Sequence, residues 1–247
     1  VYKRQLQSLE IGLLRTAQWC GAGRPCDSDT FLKVLAGSSN LDQGVGADVA
    51  NQLAGFDIRW LSPIGRLPYA VYGQFIGEDE AGGFPSRYMG QMGLELWGRS
   101  ERISTDWHAY LEYSDTTCRF TQSNPPFNCA YNNVFYPDGY RYRGRPIGHS
   151  TDNDARTVTL GLLTRHDVLG RFHTTLRLAE LNRGGAPDFS NSITATPKDL
   201  VSASIAFARD TDFGLLDVGL GAQQLKDKVT GTDTKDIRGF IKLTQEF

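Results

Sequence analysis

The chain ends with the stretch Lys235-Asp-Ile-Arg-Gly-Phe-Ile-Lys-Leu-Thr-Gln-Glu-Phe247, in which apolar and polar side chains alternate. Alternate residues of an extended strand share one face. One face carries Ile237, Gly239, Ile241, Leu243 and Phe247. The other carries charged residues such as Arg238 and Lys242. An amphipathic strand that ends on an aromatic residue is typical of the closing strand of an outer-membrane barrel, where aromatic residues lie at the membrane–water boundary. The edge strand of a soluble β-sandwich is the alternative.

The composition excludes two classes of protein. The 247 residues include 26 basic and 28 acidic ones, and the net charge of −2 gives no electrostatic footprint for nucleic acid. Mean hydropathy is −0.36, and no apolar run approaches the ~18 residues that a membrane-spanning helix needs. A membrane-spanning β-barrel stays compatible with this composition, because only alternate residues of each strand face lipid.

Period-two alternation between turn residues predicts ten strands. Their ranges are 7–19, 51–61, 66–77, 87–99, 103–116, 155–167, 171–182, 199–209, 213–224 and 236–247. Each is close to the ~9–11 residues with which a tilted strand crosses a bilayer. A soluble sandwich alternates in the same way, so the connections between strands decide between the two folds.

Short and long connections take turns along the chain. Tight turns are predicted at 61–65, 98–102, 166–170 and 209–213, and long connections at 20–50, 78–86, 117–154, 183–198 and 225–235. This order is typical of an up-and-down barrel with short turns at one end and long loops at the other. The predicted fold is therefore all-β, a transmembrane antiparallel up-and-down β-barrel of the bacterial outer membrane, with long loops facing the cell exterior. A short helix is predicted at 29–37, capped by Asp29 or Thr30 and ended by Gly37.

The four cysteines fall into two local pairs, Cys20 with Cys26 and Cys118 with Cys129. Four cysteines allow three connectivities, and this one alone keeps each bridge inside one turn-rich segment. Disulfides are typical of an oxidising compartment. A zinc site is the alternative, although the sequence has no C-x-x-C and no histidines at ligand spacing beside the pairs.

The N-terminal segment does not resemble a signal peptide, since Val1-Tyr-Lys-Arg-Gln5 has no apolar core behind it. Residues 1–5 are interpreted as a non-native scar, and residues 6–247 as the C-terminal part of a larger outer-membrane barrel domain. We expect outer-membrane lipid to contact the apolar strand faces. We also expect the barrel assembly machinery to recognise the strand that ends in Phe247.

Several separated motifs resemble one known family. They are Gln18-Trp-Cys-Gly-Ala-Gly-Arg-Pro-Cys26, Gln52-Leu-Ala-Gly-Phe-Asp-Ile-Arg-Trp60, Tyr72-Gly-Gln-Phe-Ile-Gly-Glu-Asp-Glu80, Trp107-His-Ala-Tyr-Leu-Glu-Tyr113 and Gly144-Arg-Pro-Ile-Gly-His-Ser-Thr-Asp-Asn-Asp-Ala-Arg156. In their order they are similar to the Wzi-type capsule assembly proteins. The resemblance implies an outer-membrane barrel of about eighteen strands. It also implies a surface lectin that holds capsular polysaccharide on the cell exterior, of which this chain would be the C-terminal portion.

Charged residues of both signs fall on the predicted inner faces of the strands. They are Asp57, Arg59, Glu95, Asp106, Glu112, Arg165, Arg177, Asp217, Arg238 and Lys242. In a water-filled pore such charges set selectivity, whereas in a plugged lumen arginines pair with carboxylates and offset desolvation. The balance of signs favours pairing.

The connection 117–154 is rich in aromatic residues and arginine. Aromatic faces stack on the C–H surfaces of sugars, and arginine holds the carboxylates of acidic polymers. The predicted polysaccharide-binding residues are Tyr131, Tyr136, Tyr140, Arg141, Tyr142, Arg143 and Arg145. The alternative is that these residues pack the loop against the barrel mouth, because so long a loop needs some core of its own.

No catalytic site, metal site or cofactor is predicted. The four histidines lack partners in any recognised catalytic motif, and Asp152-Asn-Asp154 lacks the later Glu of a calcium loop. The leading hypothesis is a non-enzymatic outer-membrane barrel that binds capsular polysaccharide. A porin or oligosaccharide channel is one alternative, and an outer-membrane hydrolase that uses His149 is another.

Overall fold

A single antiparallel sheet makes up most of the protein. The computed structural model describes residues 2–6, 8–21, 23–36, 50–62, 68–81, 84–187 and 190–245. Its strands in chain order are β1 (Tyr2–Leu6), β2 (Leu9–Trp19), β3 (Ala50–Leu61), β4 (Tyr69–Ala81), β5 (Phe84–Ser100), β6 (Thr105–Asp115), β7 (Arg141–Tyr142), β8 (Arg145–Pro146), β9 (Arg156–His166), β10 (Gly170–Leu181), β11 (Lys198–Thr211), β12 (Gly214–Asp227) and β13 (Asp233–Thr244). All but β7 and β8 pair with their sequence neighbours in one 11-stranded up-and-down sheet, while β7 and β8 form a small ladder of their own.

The sheet has a polar inner face and an apolar outer face. On β9, Thr157 and Thr159 of the inner face are 4% and 5% exposed, whereas Val158 and Leu160 of the outer face are 38% and 50% exposed. The largest fully buried side chains are almost all polar: Asn153, Asn182, Asn191, Thr117, Asp115, Asp152, Asp154 and Cys118. This distribution is the reverse of that in a soluble protein and is the one expected of a barrel wall, with lipid outside and a polar interior.

Successive connections lie at opposite ends of the sheet. One end, the loop rim, carries the connections 20–49, 82–83, 116–155, 182–197 and 228–232. The other end, the turn rim, carries 7–8, 62–68, 101–104, 167–169 and 212–213. Both cysteine pairs lie at the loop rim, as the up-and-down order requires.

Two of the predicted long connections are short, and these predictions are wrong. Strands β4 and β5 stay paired as far as Ala81 and Phe84, so only residues 82–83 separate them instead of 78–86. The charged residues 78–80 favoured a loop, yet they lie in β4, because its ladder with β5 continues past them. The connection predicted at 225–235 is reduced to 228–232, where the carboxylate of Asp227 accepts hydrogen bonds from the backbone N–H groups of Val229 and Thr230.

Two local features of the N-terminal region also differ from expectation. Residues 2–6 form β1 and pair in register with β2, which adds an eleventh strand to the ten predicted, while the interpretation of residues 1–5 as a scar stays a prediction. The helix α1 (Ser28–Ala36) is present, but its cap is Asp27, whose Oδ1 accepts from the backbone N–H of Thr30 at 2.9 Å. The cap predicted at Asp29 or Thr30 is therefore wrong, and the predicted end at Gly37 lies outside the described residues.

The first and last strands are the edges of the sheet. Within the described part of the chain, β1 pairs with β2 alone and β13 with β12 alone. Residues 246–247 lie outside that part, so the predicted role of Phe247 is not addressed. Among the helices that the structure describes, none has the length and apolar character to cross a membrane.

Candidate functional site

The connection 116–155, termed the large loop, is tied down by a disulfide at its start. Cys118 is fully buried and bonded to Cys129, with a Cα–Cα distance of 5.9 Å. A second disulfide joins Cys20 to Cys26 in the first loop, with a Cα–Cα distance of 4.7 Å. Both predicted pairings are confirmed, and each closes a short segment at the loop rim.

A buried arginine organises the interior of the large loop. The guanidinium of Arg141 binds the carboxylate of Asp152 in a two-pronged contact, Nε to Oδ2 at 2.7 Å and Nη2 to Oδ1 at 2.6 Å. It also donates to Asn132 Oδ1 and to the carbonyl of Ser190. Asp152 in turn accepts from the N–H and the hydroxyl of Ser192. The pair therefore joins the large loop to the connection 182–197.

Two neighbouring residues extend this junction. Asn153 Oδ1 accepts from the amide of Asn191 at 2.7 Å, and Asp154 Oδ2 accepts from the backbone N–H of Asn128, also at 2.7 Å. Both side chains are fully buried, and Asn153 Nδ2 and Asp154 Oδ1 have no partner within the described chain. Asn153 and Asp154 thus serve the packing of the loop.

Burial and neighbouring polar groups together shift the pKa values of the loop residues. Burial raises the pKa of Asp154 to about 6, and the N–H of Asn128 and the charge of Arg183 offset it only in part. Burial acts on Asp152 in the same direction, but hydrogen bonds from Arg141 and Ser192 outweigh it and lower the pKa of that carboxyl. Burial also lowers the pKa of His149 and raises that of Tyr131.

The large loop folds over the inner face at the loop rim. Tyr131 packs in one apolar cluster with Leu53 and Met89 of the sheet, and its ring stacks on Tyr140 at 6.2 Å between centroids. Its backbone N–H donates to Glu78 of β4 at 2.9 Å. These contacts make the loop a cover over the polar interior.

A cavity of about 520 Å³ lies between this cover and the sheet. We term it the loop cavity. Its polar lining includes four inner-face residues and two loop residues: Gln74, Gln91, Glu112, Arg177, Tyr140 and His149. A volume of this order and a few convergent polar groups are typical of a small-molecule site.

Two charged side chains of opposite sign face the loop cavity, and they differ in whether they have a hydrogen-bond partner. Glu112 accepts a hydrogen bond from the hydroxyl of Tyr72 at 2.9 Å. Tyr72 reaches it across Gly93, where a Cβ would lie 2.2 Å from the tyrosine ring. The guanidinium of Arg177 makes no hydrogen bond or ion pair with any residue that the structure describes. A ligand carboxylate or hydroxyl would satisfy that guanidinium.

The structure divides the predicted polysaccharide-binding residues into three groups. Tyr131, Tyr136 and Arg141 are 5%, 8% and 8% exposed, so they build the interior of the loop. Tyr140 lines the loop cavity, to which Tyr131 also contributes an edge. The remaining three, Tyr142, Arg143 and Arg145, lie at the exposed tip of the β7–β8 hairpin.

The hairpin tip presents its side chains through a tight turn. Arg143 and Gly144 have φ angles of 51° and 71°, and two successive positive values define a hairpin turn of the primed kind. The guanidinium of Arg143 lies over the ring of Tyr142 at 5.3 Å, and Tyr142 is 65% exposed. An aromatic face and a cation are thus offered together to solvent.

The strand register places all ten predicted lumen charges on the inner face. Six of the ten are Asp57, Arg59, Glu95, Asp106, Glu112 and Arg165, on β3, β5, β6 and β9. The other four are Arg177, Asp217, Arg238 and Lys242, on β10, β12 and β13. Several pair between strands: Arg59 with Glu95 at 2.6 Å and Arg165 with Asp106 at 2.8 Å. Asp217 lies opposite Lys242 in the ladder of β12 and β13.

Two of the histidines contact neighbouring side chains. His149 Nδ1 lies 2.7 Å from Thr151 Oγ1, and its backbone N–H donates to the hydroxyl of Tyr131. His108 Nε2 lies 2.9 Å from Glu95 Oε2 on the inner face. Over the described ranges no group of three potential metal ligands occurs.

Sequence reasoning did not name Gln74 and Gln91, which contribute amides to the loop cavity. The alternation of side chains along β4 and β5 predicts that both glutamines lie on the inner face. Their position under the large loop depends on how that loop folds, and this has no local signal in the sequence.

An up-and-down antiparallel sheet with an apolar outside, a polar inside and a loop folded over one end defines the class of membrane-spanning β-barrel walls. The profile of the capsule assembly protein Wzi family matches residues 4–235, and the chain belongs to that family.

Two known proteins are similar to this chain in structure or in sequence. The solved structure of Wzi from Escherichia coli, an outer membrane protein involved in group 1 capsule assembly and described as a carbohydrate-binding β-barrel, matches with a TM-score of 0.73 and 28% identity. The match covers 95% of this chain and 47% of that one. An uncharacterized 55.8 kDa protein of the cps region of Klebsiella pneumoniae is 40% identical over 114 residues, 44% of this chain and 21% of the relative. The chain thus spans less than half the length of either relative.

Proposed function

We propose that this chain forms part of the wall of an outer-membrane barrel that binds carbohydrate and takes part in capsule assembly. The loop rim faces the cell exterior in this proposal, and the outer face of the sheet meets lipid. The observation that carries the proposal is the loop cavity, a polar space of about 520 Å³ roofed by a loop that a disulfide and a buried ion pair hold in place.

Carbohydrate would be bound at two places, the loop cavity and the hairpin tip, by groups complementary to sugars. In the loop cavity, the amides of Gln74 and Gln91 and the carboxylate of Glu112 suit sugar hydroxyls, and Arg177 suits the carboxylate of an acidic sugar. At the hairpin tip, Tyr142 offers a ring to stack on a pyranose. A repeating polymer that contacts both places gains affinity through effective concentration, although each contact is weak.

The proposed role is retention and not catalysis. The hydrolase alternative needs a nucleophile, a base and a third group that orients the base, whereas the described hydrogen bonds of the His149 side chain are to Thr151 alone. Interactions with membrane lipid and with the barrel assembly machinery belong to the same proposal. They follow from the apolar outer face and from the amphipathic final strand.

A capsule-retention assay tests this function. Cells lacking the gene would be complemented with the wild-type protein, with an Arg177→Gln variant and with an Arg171→Gln control. Arg171 lies on the same strand and face, near the turn rim. We expect cells with Arg177→Gln to release more capsular polymer into the medium than wild-type or control cells. Equal retention in all three strains would refute the proposal.

A further inference from the structure

A second pocket lies on the opposite side of the sheet. On the outer face, level in the strand ladder with Asp115 at the loop-rim end of β6, Phe56 and Phe75 lie 5.2 Å apart between ring centroids, and Phe56 meets Tyr88 edge-on at 6.2 Å. The ring of Phe120 stacks on Phe75 at 6.2 Å. These four rings and the side chains of Arg87 and Arg119, termed the rim patch, border a pocket of about 360 Å³.

Phe120 reaches this face from the large loop and not from a strand. It follows Cys118, which is fully buried, and its backbone N–H approaches the carbonyl of Tyr88 at 3.4 Å. The ring lies over Gly90 of β5, where a Cβ would be 2.3 Å from it. The loop therefore turns outward after the disulfide and adds an aromatic side chain to the face that meets lipid.

The two arginines stand beside the aromatic rings at the edge of the apolar surface. Both are exposed and both have positive φ angles, 53° at Arg87 and 55° at Arg119. The guanidinium of Arg119 makes no hydrogen bond or ion pair within the part of the chain that the structure describes. Other arginines of the loop region, such as Arg141 and Arg183, are bound to carboxylates.

We propose that the rim patch binds the phosphate-bearing headgroup of an outer-leaflet lipid. Aromatic rings at the edge of a lipid-facing surface lie at headgroup level. An exposed guanidinium at that level suits phosphate, which it binds through two parallel hydrogen bonds. Phe56 and Phe75 would then contact the upper part of the acyl chains. The inference rests on the proposed placement of the outer face in lipid and on no part of the carbohydrate site.

The test measures lipid binding to the purified protein in detergent micelles. The probe is diphosphoryl lipid A, and dephosphorylated lipid A and inorganic phosphate serve as the comparison ligands. The variants are Arg119→Gln and, as control, Arg102→Gln, an exposed arginine of the turn rim. Heat-dependent migration of each variant on a gel verifies that the barrel is folded.

We expect Arg119→Gln to weaken binding of diphosphoryl lipid A about tenfold, the loss of one charge-assisted contact. Arg102→Gln should bind like wild type, and wild type should bind dephosphorylated lipid A as weakly as Arg119→Gln binds the phosphorylated form.

Three outcomes would overturn the inference. The first is equal affinity of Arg119→Gln and wild type for lipid A. The second is full displacement of the lipid by excess inorganic phosphate, which would mark a simple anion site. The third is a loss confined to purified acidic polysaccharide, which would assign the patch to sugar. Carbohydrate binding is measured separately with Arg177→Gln, so the failure of one proposal can be distinguished from the failure of the other.

Discussion

Arg141 and Asp152 form a buried two-pronged ion pair at the centre of the large loop, with side chains 4% and 0% exposed. The pair joins the large loop to the connection 182–197 through the carbonyl of Ser190 and the N–H of Ser192. Removing one partner of such a pair leaves an uncompensated buried charge and costs about 3–5 kcal/mol.

Arg141→Lys should therefore open the large loop even though the charge is kept, because lysine cannot reproduce the planar fork. Amide hydrogen exchange should show loss of protection in residues 149–155 while the strands keep theirs. Arg143→Lys at the exposed hairpin tip is the matched control and should leave exchange unchanged. Unaltered protection in Arg141→Lys would contradict the assigned role.

Loss of the Cys118–Cys129 bridge should loosen the same loop at its base. Closure of a short loop is worth about 2–4 kcal/mol, and here the sequence separation is 11. The Cys118→Ser/Cys129→Ser double variant should be cut by protease within residues 117–130 under conditions in which the wild type resists. The Cys20→Ser/Cys26→Ser variant should keep that segment resistant, since its bridge lies in the first loop. Equal cleavage of all three proteins would argue against the bridge as the anchor.

The contribution of Asp154 to the stability of the large loop should fall as pH rises between about 4 and 6. Folding raises the pKa of Asp154 from 3.8 to about 6. In this window the folded loop binds more protons than the open loop, so the free energy of opening decreases with pH. The full effect corresponds to roughly 3 kcal/mol at neutral pH.

Asp154→Asn should remove this pH dependence, because its amide oxygen still accepts from the N–H of Asn128. Hydrogen exchange, corrected for intrinsic rates, measures the free energy of opening at each pH. The free energy of opening of wild type minus that of Asp154→Asn isolates this carboxyl from the nearby His149, and a difference that rises with pH over the window would exclude burial of Asp154 as the cause.

The hairpin tip should contribute to binding and not to stability. Tyr142 is 65% exposed, so Tyr142→Ala should change the free energy of unfolding by less than about 0.5 kcal/mol while it weakens polysaccharide binding. Tyr131→Ala, at a position that is 5% exposed, should instead disturb the loop. Surface plasmon resonance with immobilised polymer and thermal unfolding separate the two effects. A Tyr142→Ala variant that binds like wild type would remove the tip from the site.

The strands were predictable because alternation in single segments such as Thr157–Leu162 reports directly on the two environments of a barrel wall. The interior of the large loop was not. Tyr131 and Tyr142 occur in the same aromatic and arginine-rich sequence, yet one is buried on Leu53 and Met89 and the other is exposed. Whether each tyrosine is buried depends on contacts with segments far away in the chain. The local sequence carries no signal for those contacts.

The most direct test of the account is calorimetric titration of the purified protein with oligosaccharide from the capsule of its own host. The account predicts saturable binding that weakens about tenfold in Arg177→Gln, the expected loss of one charge-assisted contact, and stays unchanged in Arg171→Gln. No binding by the wild type, or equal affinity of all three proteins, would contradict a carbohydrate site in the loop cavity.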